Sequence, residues 1–449
     1  MKTLSQLAAD LASGRTTSRA LVEDCLARIE DPSGEGRRVF IKVAADRARV
    51  SADYHDQMRR HSAAASPYAG IPLSIKDLFD MTGEVTTAGS VVLRDTAPAT
   101  EDAFSVARLK NAGFVPIGRT NMTEFAFSAL GINPHYGTPR NAFDRKAGRI
   151  PGGSSSGAAV SLTDGMALAA LGSDTGGSSR IPAALCGIVG FKPTARRVSL
   201  KGAVPLSTTL DSVGPLGVTV ECCAILDQIM SGEQHYAALD SVSGLRLAVP
   251  QTLMLDGLDP YIEGLFDSCL RKLSDAGAKI IKVPLRELTE IPQINAKGGF
   301  AAPEAFAYHR ALIATKSAQY DPRVLSRIMR GKEQDAADYV DLIKARTNFI
   351  RRISPIMAQF DAVVLPTVAT GAPRLADLEV EEEYFKVNLR LMRNTGVANF
   401  IDGCAISIPC HKQGETPAGF MVMGAHNTDQ RLLSIAAAIE NLVSPRHAD

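Results

Sequence analysis

The sequence predicts an α/β fold: a single large domain with a central mixed, mainly parallel twisted sheet covered by helices. Three observations carry this. Short apolar runs that read as buried strands alternate with helix-length amphipathic segments along most of the 449 residues. One alternation is complete. A strand at 244–249 (GLRLAV), a helix over 261–276 stopped by Gly277, and a strand at 278–283 make a βαβ unit. Finally, no internal repeat or long linker divides the chain, and 45% hydrophobic with 22% charged residues is ordinary for one globular body with a large core.

Taken in order, residues 3–13 and 18–30 read as helices, each opened by Thr or Ser, the first closed by Gly14. A helix continues over 45–60. The loop HSAAASPYAG leads into a short apolar strand that ends on Lys76, and a turn-rich loop follows at 86–90. From Thr100 a helix runs to Ala112, with Ala103, Val106 and Leu109 on one face and Gly113 as its stop. Residues 114–118 form a strand, and Thr120 caps a helix over TNMTEFAFSALG. On that helix Phe125 and Phe127 lie two apart and face different ways, so one of them is core. Residues 205–218 read as a loop. In the βαβ helix Ile262, Phe266, Cys269, Leu270 and Leu273 point inward. Residues 285–350 are mostly helical, and periodicity favours plain helical packing for Tyr308, Met329 and Tyr339. The run FDAVVL is a buried strand ending at Pro366. Asn394-Thr395-Gly396 leads to a strand at 404–409, the last strand is 420–423, and a terminal helix spans 429–442.

Composition excludes several classes. A net charge of +1 gives no footprint for nucleic acid or an anionic membrane surface, and the short basic run 196–201 reads as a solvated face. No apolar run reaches 18 residues, so no membrane helix is expected, and the N-terminus lacks the apolar segment of a secretory signal. Seven cysteines without a C-x-x-C pair point to a reduced, cytoplasmic protein, with Cys186 as core packing. No metal-ligand spacing such as H-E-x-x-H is present.

The chemistry concentrates in two glycine/serine loops, GGSSSG at 152–157 and GSDTGGSSR at 172–180. Such composition is often flexible, but the apolar runs GMALAAL and IPAALCGI on their flanks argue for ordered loops between core elements. A glycine loop opening a helix presents backbone N–H groups to a phosphate or a developing oxyanion. Neither loop has the lysine of a P-loop or the G-x-G-x-x-G dinucleotide spacing. That leaves a serine nucleophile, which needs a base. None of the eight histidines (55, 61, 135, 235, 309, 411, 426, 447) lies in the loops, though a fold could bring one in. Lysine is the other option. Lys76 follows a strand-like run that carries it inward, where desolvation lowers its pKa toward the range of a general base. Against this stands an ordinary surface lysine beside Asp77.

Lys76 within IPLSIKDLFD, then GGSSSG, then GSDTGGSSRIPAALCGIVGFKPT, in this order and spacing, resemble the amidase signature family, strongly from 70 through 194 and more weakly to the C-terminus. The resemblance implies a Ser–Ser–Lys triad. Ser178 is the acyl-forming nucleophile, Ser154, 24 residues earlier, is the bridging serine, and Lys76 is the base. It further implies a cis peptide at Gly153–Ser154, an oxyanion hole of the backbone N–H groups of Thr175, Gly176, Gly177 and Ser178, and Phe127 as a substrate-binding residue in the acyl pocket. The chain departs from the family pattern at Ser179, usually apolar, and at Ser156, usually glycine. The choice of Ser154 over Ser155 rests on spacing.

On this resemblance residues 1–449 are one amidase domain, with an N-terminal helical segment (1–65), the signature core (66–230) and a helical substrate-shaping region (285–350). The implied reaction is acyl transfer to water from a small amide, carbamate or aryl amide, with no cofactor and no metal. The expected partner is the small-molecule substrate, with no nucleic acid and no membrane, and symmetry statistics leave room for a homodimer. Two alternatives share the motifs. A glutaminase-type component of an aminoacyl-tRNA amidotransferase would need partner chains and an ammonia channel. An inactive binding protein on this fold is disfavoured by the complete triad.

Overall fold

The computed structural model of the chain describes residues 1–233 and 237–444, so His235 and His447 lie outside the described residues. The first half runs α1 (Leu4–Ala12), α2 (Ser18–Glu30), α3 (Gly36–Val39), β1 (Phe40–Val43), α4 (Ala45–Arg60), β2 (Pro72–Lys76), α5 (Phe104–Asn111), β3 (Val115–Thr120), α6 (Ser156–Thr163), β4 (Ala169–Asp174), α7 (Arg180–Cys186), β5 (Val189–Lys192), β6 (Ser212–Gly217) and α8 (Val220–Ser231). The second half runs β7 (Arg246–Pro250), α9 (Pro260–Asp275), β8 (Lys279–Val283), α10 (Glu290–Ile294), α11 (Ala301–Lys316), α12 (Pro322–Met329), α13 (Ala336–Met357), β9 (Ala362–Pro366), α14 (Glu381–Phe400), β10 (Cys404–Pro409), β11 (Gly419–Gly424) and α15 (Asp429–Val443).

Local chemistry sets many of these boundaries. Thr3 and Gln6 close a capping box on α1, each side chain accepting the other's backbone N–H. Asp259 caps α9 with Pro260 as its first residue, where the missing N–H costs nothing. That helix buries Ile262, Phe266, Cys269 and Leu273 as the periodicity requires, with Leu270 half-buried beside them.

Among the described residues eleven strands join one sheet in the order β1-β3-β2-β4-β6-β5-β10-β11-β9-β7-β8. It is mixed, as expected, but the weight on parallel pairing needs correction. Parallel pairs form two blocks, β3-β2-β4 and β9-β7-β8. The middle, from β4 through β6, β5, β10 and β11 to β9, is antiparallel. Parallel neighbours need a crossover helix, and the connections β5–β6 and β10–β11 contain none. Alternate strand residues feed opposite faces: Ala362 and Val364 join one core cluster while Val363 and Leu365 join another. Both faces are therefore covered, and each fully buried Val or Leu contributes about 1.5–3 kcal/mol of transfer free energy.

Other expectations shift. The helix over TNMTEFAFSALG does not form. Thr120 ends β3, and only a single tight turn, Glu124–Ala126, follows, with Phe125 and Ala126 at positive φ. Tertiary bonds override the helical pattern: the Thr123 N–H goes to Ser154 O, the Phe125 N–H to Ala88 O, and the buried Glu124 carboxylate accepts from Ser90 and the Asp321 N–H. The stretch 205–218 is not all loop, since β6 occupies a central position in the sheet. Its glycines and Pro215 hid it. Gly214 is needed there because a Cβ would stand 2.2 Å from Ser179 Oγ. Asn394, Thr395 and Gly396 belong to α14, and β1 and α8 carry too little pattern to have been read.

Candidate active site

Parallel pairing of β2 with β4, in register at Ile75 and Leu171, brings the C-terminal ends of both strands together. Lys76 ends one and Ser173-Asp174 end the other. Antiparallel β6 sets Ser212 opposite Asp174 at the same edge. The two serine loops leave from this edge into α6 and α7.

Lys76 is 0% exposed and is not a surface lysine paired with Asp77. Asp77 instead binds the buried Arg119 at 2.6 Å. Lys76 Nζ lies 2.7 Å from Ser154 Oγ, 3.0 Å from Ser155 Oγ and 2.8 Å from Ser173 Oγ. Burial lowers its pKa from 10.5 to about 7, against the opposing pull of Asp174 and Asp211. The amine is thus roughly half deprotonated near pH 7. A neutral amine can donate to Ser155 and Ser173 and accept from Ser154. The two candidate serines differ in their surroundings. Ser155 Oγ donates to Ser173 O at 3.3 Å, whereas Ser154 Oγ has Lys76 Nζ as its only hydrogen-bond partner among the described residues.

The Gly153–Ser154 peptide is cis. Gly153 has no room for a side chain, since a Cβ would sit 2.6 Å from Gly131 N. The first loop meets the second through the Ser155 N–H, which donates to Ser178 O at 3.2 Å.

The second loop is tied by the wholly buried Asp174. Its carboxylate accepts from the Gly177 N–H (2.9 Å), the Ser179 N–H (3.2 Å), Arg180 Nε and Nη2 (3.0 and 2.9 Å) and Asn399 Nδ2 (2.9 Å). Burial alone would raise its pKa; the Arg180 pair, Lys192 and Asn399 outweigh that and hold it at about 2. Thr175 Oγ1 donates to buried Asp211 at 2.5 Å, and Thr395 Oγ1 donates to Gly176 O at 2.7 Å. Gly177 has φ +132°, and a Cβ there would meet Thr395 Oγ1 at 2.3 Å. Of the four N–H groups expected as oxyanion donors, that of Gly177 is committed to Asp174.

Above the loop opens a cavity of about 620 Å³ lined by Ser178, Thr175, Gly176 and Phe127. Ser178 is 7% exposed, and its hydroxyl has no hydrogen-bond partner among the described residues. Both phenylalanines lie in one buried apolar cluster, although the helix expected to separate them does not form. Phe125 packs in the core against His309, ring centroids 4.2 Å apart, while Phe127 lines the cavity. The 285–350 region contributes Ile291, Phe300 and Arg327 to the wall. Tyr308, Met329 and Tyr339 stay outside it, and Tyr339 hydrogen-bonds Glu304 instead. Cys186 is buried, its Sγ 3.3 Å from Pro151 O and its thiol pushed up by burial, as core packing requires.

A protein-family model described as Amidase matches residues 20–433. The chain belongs to the amidase family. Among amidase-family relatives, it is 35% identical over 455 residues to a 2-amino-5-chloromuconic acid deaminase of Comamonas testosteroni, covering 99% of this chain and 97% of that protein. It is 32% identical to the A component of the glutamyl-tRNA(Gln) amidotransferase of Chromohalobacter salexigens, over 97% of this chain and 95% of the relative. A crystal structure of an amidase superposes with a TM-score of 0.89 at 30% identity, covering 98% of this chain and all of the other. As an amidase-family member the protein is a hydrolase of carbon–nitrogen bonds. Among the described residues no helix is long and apolar enough to cross a membrane.

Sequence reasoning missed Ser173, Asp211, Asn399 and Arg327. Asp174 and Arg180 stand six apart in the second loop and were readable as a pair. Asn399 lies 225 residues from Asp174, and nothing local marks it.

Proposed function

We propose that this amidase-family hydrolase cleaves the C–N bond of a small amide, carbamate or aryl amide through an acyl-enzyme on Ser178. The observation that carries the reading is the 2.7 Å contact of a wholly buried Lys76 Nζ with Ser154 Oγ, beneath a cavity lined by Ser178. Neutral Lys76 takes the Ser154 proton as Ser154 takes the Ser178 proton, and Ser178 Oγ attacks the carbonyl carbon. Ser154 fits the bridging role because its hydroxyl, unlike that of Ser155, is not donated to a backbone carbonyl. The N–H groups of Thr175, Gly176 and Ser178 stabilise the oxyanion. The relay then returns a proton to the departing amine, and water releases the acyl group by the same steps. Residues 1–449 act as one amidase domain in the cytoplasm, with residues 285–350 shaping the pocket and no cofactor.

A second reading is favoured by the 32% identity to the A component of an amidotransferase. The two separate in one assay. Ammonia or amine release is followed on a panel of amides, carbamates and glutamine, for wild type and Ser178→Ala without added partners. Turnover of small amides that disappears in Ser178→Ala is expected. Turnover that survives the substitution would remove Ser178 as nucleophile. If no substrate turns over, repeating the panel with amidotransferase partner chains added, and finding activity on glutamine only in their presence, would favour the amidotransferase.

A further inference from the structure

A second cavity, of about 570 Å³, shares no lining residue with the one above Ser178. One wall is α3 and the turn before it; the other is Arg140 with the turn at Arg145 and Lys146. Arg37, Arg38, Arg140, Arg145 and Lys146 line it, against a single carboxylate, Glu35. The whole chain has a net charge of only +1, so this is a local concentration of positive charge. Two of the five cations are neutralised. Arg38 Nη1 lies 2.9 and 3.0 Å from the two Glu35 oxygens, and Arg145 Nη2 lies 2.8 Å from Asp164 Oδ1. The side chains of Arg37, Arg140 and Lys146 have no hydrogen-bond or ion-pair partner among the described residues. Arg145 adds an unused donor, since its Nε is buried without a partner. Orphaned buried donors are uncommon in folded proteins.

The two walls are fixed to each other. Glu35, only 4% exposed, accepts the Arg140 N–H at 3.1 Å as well as the Arg38 fork, so the one carboxylate in the lining is consumed in joining them. The buried Asn121 side chain donates to Arg38 O at 2.8 Å and to Gly137 O at 2.6 Å. Three unpaired like charges are thus held around one preformed concavity, whose walls focus their field on an entering anion.

The lining also selects among anions. It contains no aromatic ring and, apart from Pro32, no sizeable apolar side chain, so nothing there stacks on a nucleobase or buries an acyl chain. Guanidinium forks each pair two phosphate oxygens, and an ammonium adds a point charge. A lone phosphate group, at about −1.5 to −2, leaves part of the three positive charges unanswered, whereas linked phosphates match them.

We propose that this cavity binds a compact polyanion of two or more linked phosphate groups, held by Arg37, Arg140 and Lys146. The site is separate from the Ser178 cavity and does not rest on the amidase reading.

The test is calorimetry on the full chain at fixed low ionic strength with inorganic phosphate, pyrophosphate and triphosphate. Saturable one-to-one binding is expected, with triphosphate at least ~10-fold tighter than phosphate. The triple variant Arg37→Ser, Arg140→Ser, Lys146→Ser is expected to weaken triphosphate by ~10–100-fold, the scale of three charge-assisted contacts at a partly exposed site. A control that removes the same charge elsewhere, Arg60→Ser, Arg271→Ser, Lys412→Ser, is expected to change it less than threefold. Equal losses in the two variants would reduce the effect to net charge and overturn the site. So would phosphate binding as tightly as triphosphate, or no saturable binding of any of them. ATP is expected to bind no better than inorganic triphosphate; a gain of tenfold or more would reveal a base contact and overturn the proposal, as would citrate or a short single-stranded RNA binding more tightly than triphosphate. Should the triple variant not fold, hydrogen exchange on wild type decides. Triphosphate is expected to protect amides within 32–38 and 140–146, and protection confined to other segments overturns the assignment.

Discussion

Lys76 makes the pH profile the sharpest test of the proposed relay. A lysine at its ordinary pKa of 10.5 would be neutral in about one molecule in 3,000 at pH 7, whereas a pKa of about 7 leaves roughly half neutral. Burial therefore supplies a factor of ~1,500 in competent base. The base is the neutral form, so activity is gained as pH rises. Measured as kcat/KM on a cleaved amide, the rate is expected to climb about tenfold per pH unit below 7, reach half its maximum near 7 and level off above about 8. Lys76→Met is expected to lose ~10²–10⁴-fold with no inflection near 7, and Lys76→Arg, always protonated, to be equally poor. A profile flat from pH 5 to 9, or one still rising past 9, would refute the assignment of Lys76 as base. Stability carries the same signature. Between about 7 and 10.5 the unfolded chain binds a proton at this lysine that the folded chain does not, so unfolding free energy rises with pH across that window. The cost at pH 7 and below approaches about 5 kcal/mol. Lys76→Met should flatten that slope in urea titrations at pH 7 and 9.

Two further outcomes probe the scaffold. Arg180→Met leaves the Asp174 carboxylate buried without its cation, and urea unfolding should show a loss of about 3–5 kcal/mol. A loss under 1 kcal/mol would mean that Asn399 and the loop N–H groups suffice to hold Asp174. Gly177→Ala forces a Cβ to within 2.3 Å of Thr395 Oγ1 at a positive φ, and kcat on an amide should fall by ~100-fold or more as the Ser178 loop shifts; activity within a factor of three of wild type would show that the loop tolerates the displacement.

The elements that were legible are those whose own residues satisfy them. The segments 18–30, 45–60 and 404–409 match their observed bounds, the first with Thr17 capping it locally and the last as a short, wholly buried apolar run. The turn at Phe125 and the strand β6 were illegible for the opposite reason. Glu124 and Gly214 are placed by partners far along the chain, Asp321 and Ser179, and the helical or loop-like composition gives way to them.

At the candidate site the same division holds. Residue chemistry picked out the two glycine/serine loops and Lys76 as a candidate base, because glycine-flanked serines and a strand-end lysine are features of short stretches, and the resemblance to the amidase signature family assigned Lys76, Ser154 and Ser178 their roles. Which hydroxyl faces the amine unencumbered, which N–H groups stay free, and which side chains line the cavity were decided by the tertiary structure. In space Ser155 is set apart from Ser154 by its hydrogen bonds with the Ser173 backbone, the Gly177 N–H is committed to Asp174, and Arg327 reaches the wall from a helix 149 residues beyond Ser178. Directed hydrogen bonds and burial are properties of positions in space. A sequence specifies them only through the complete fold that brings distant residues within ~3 Å.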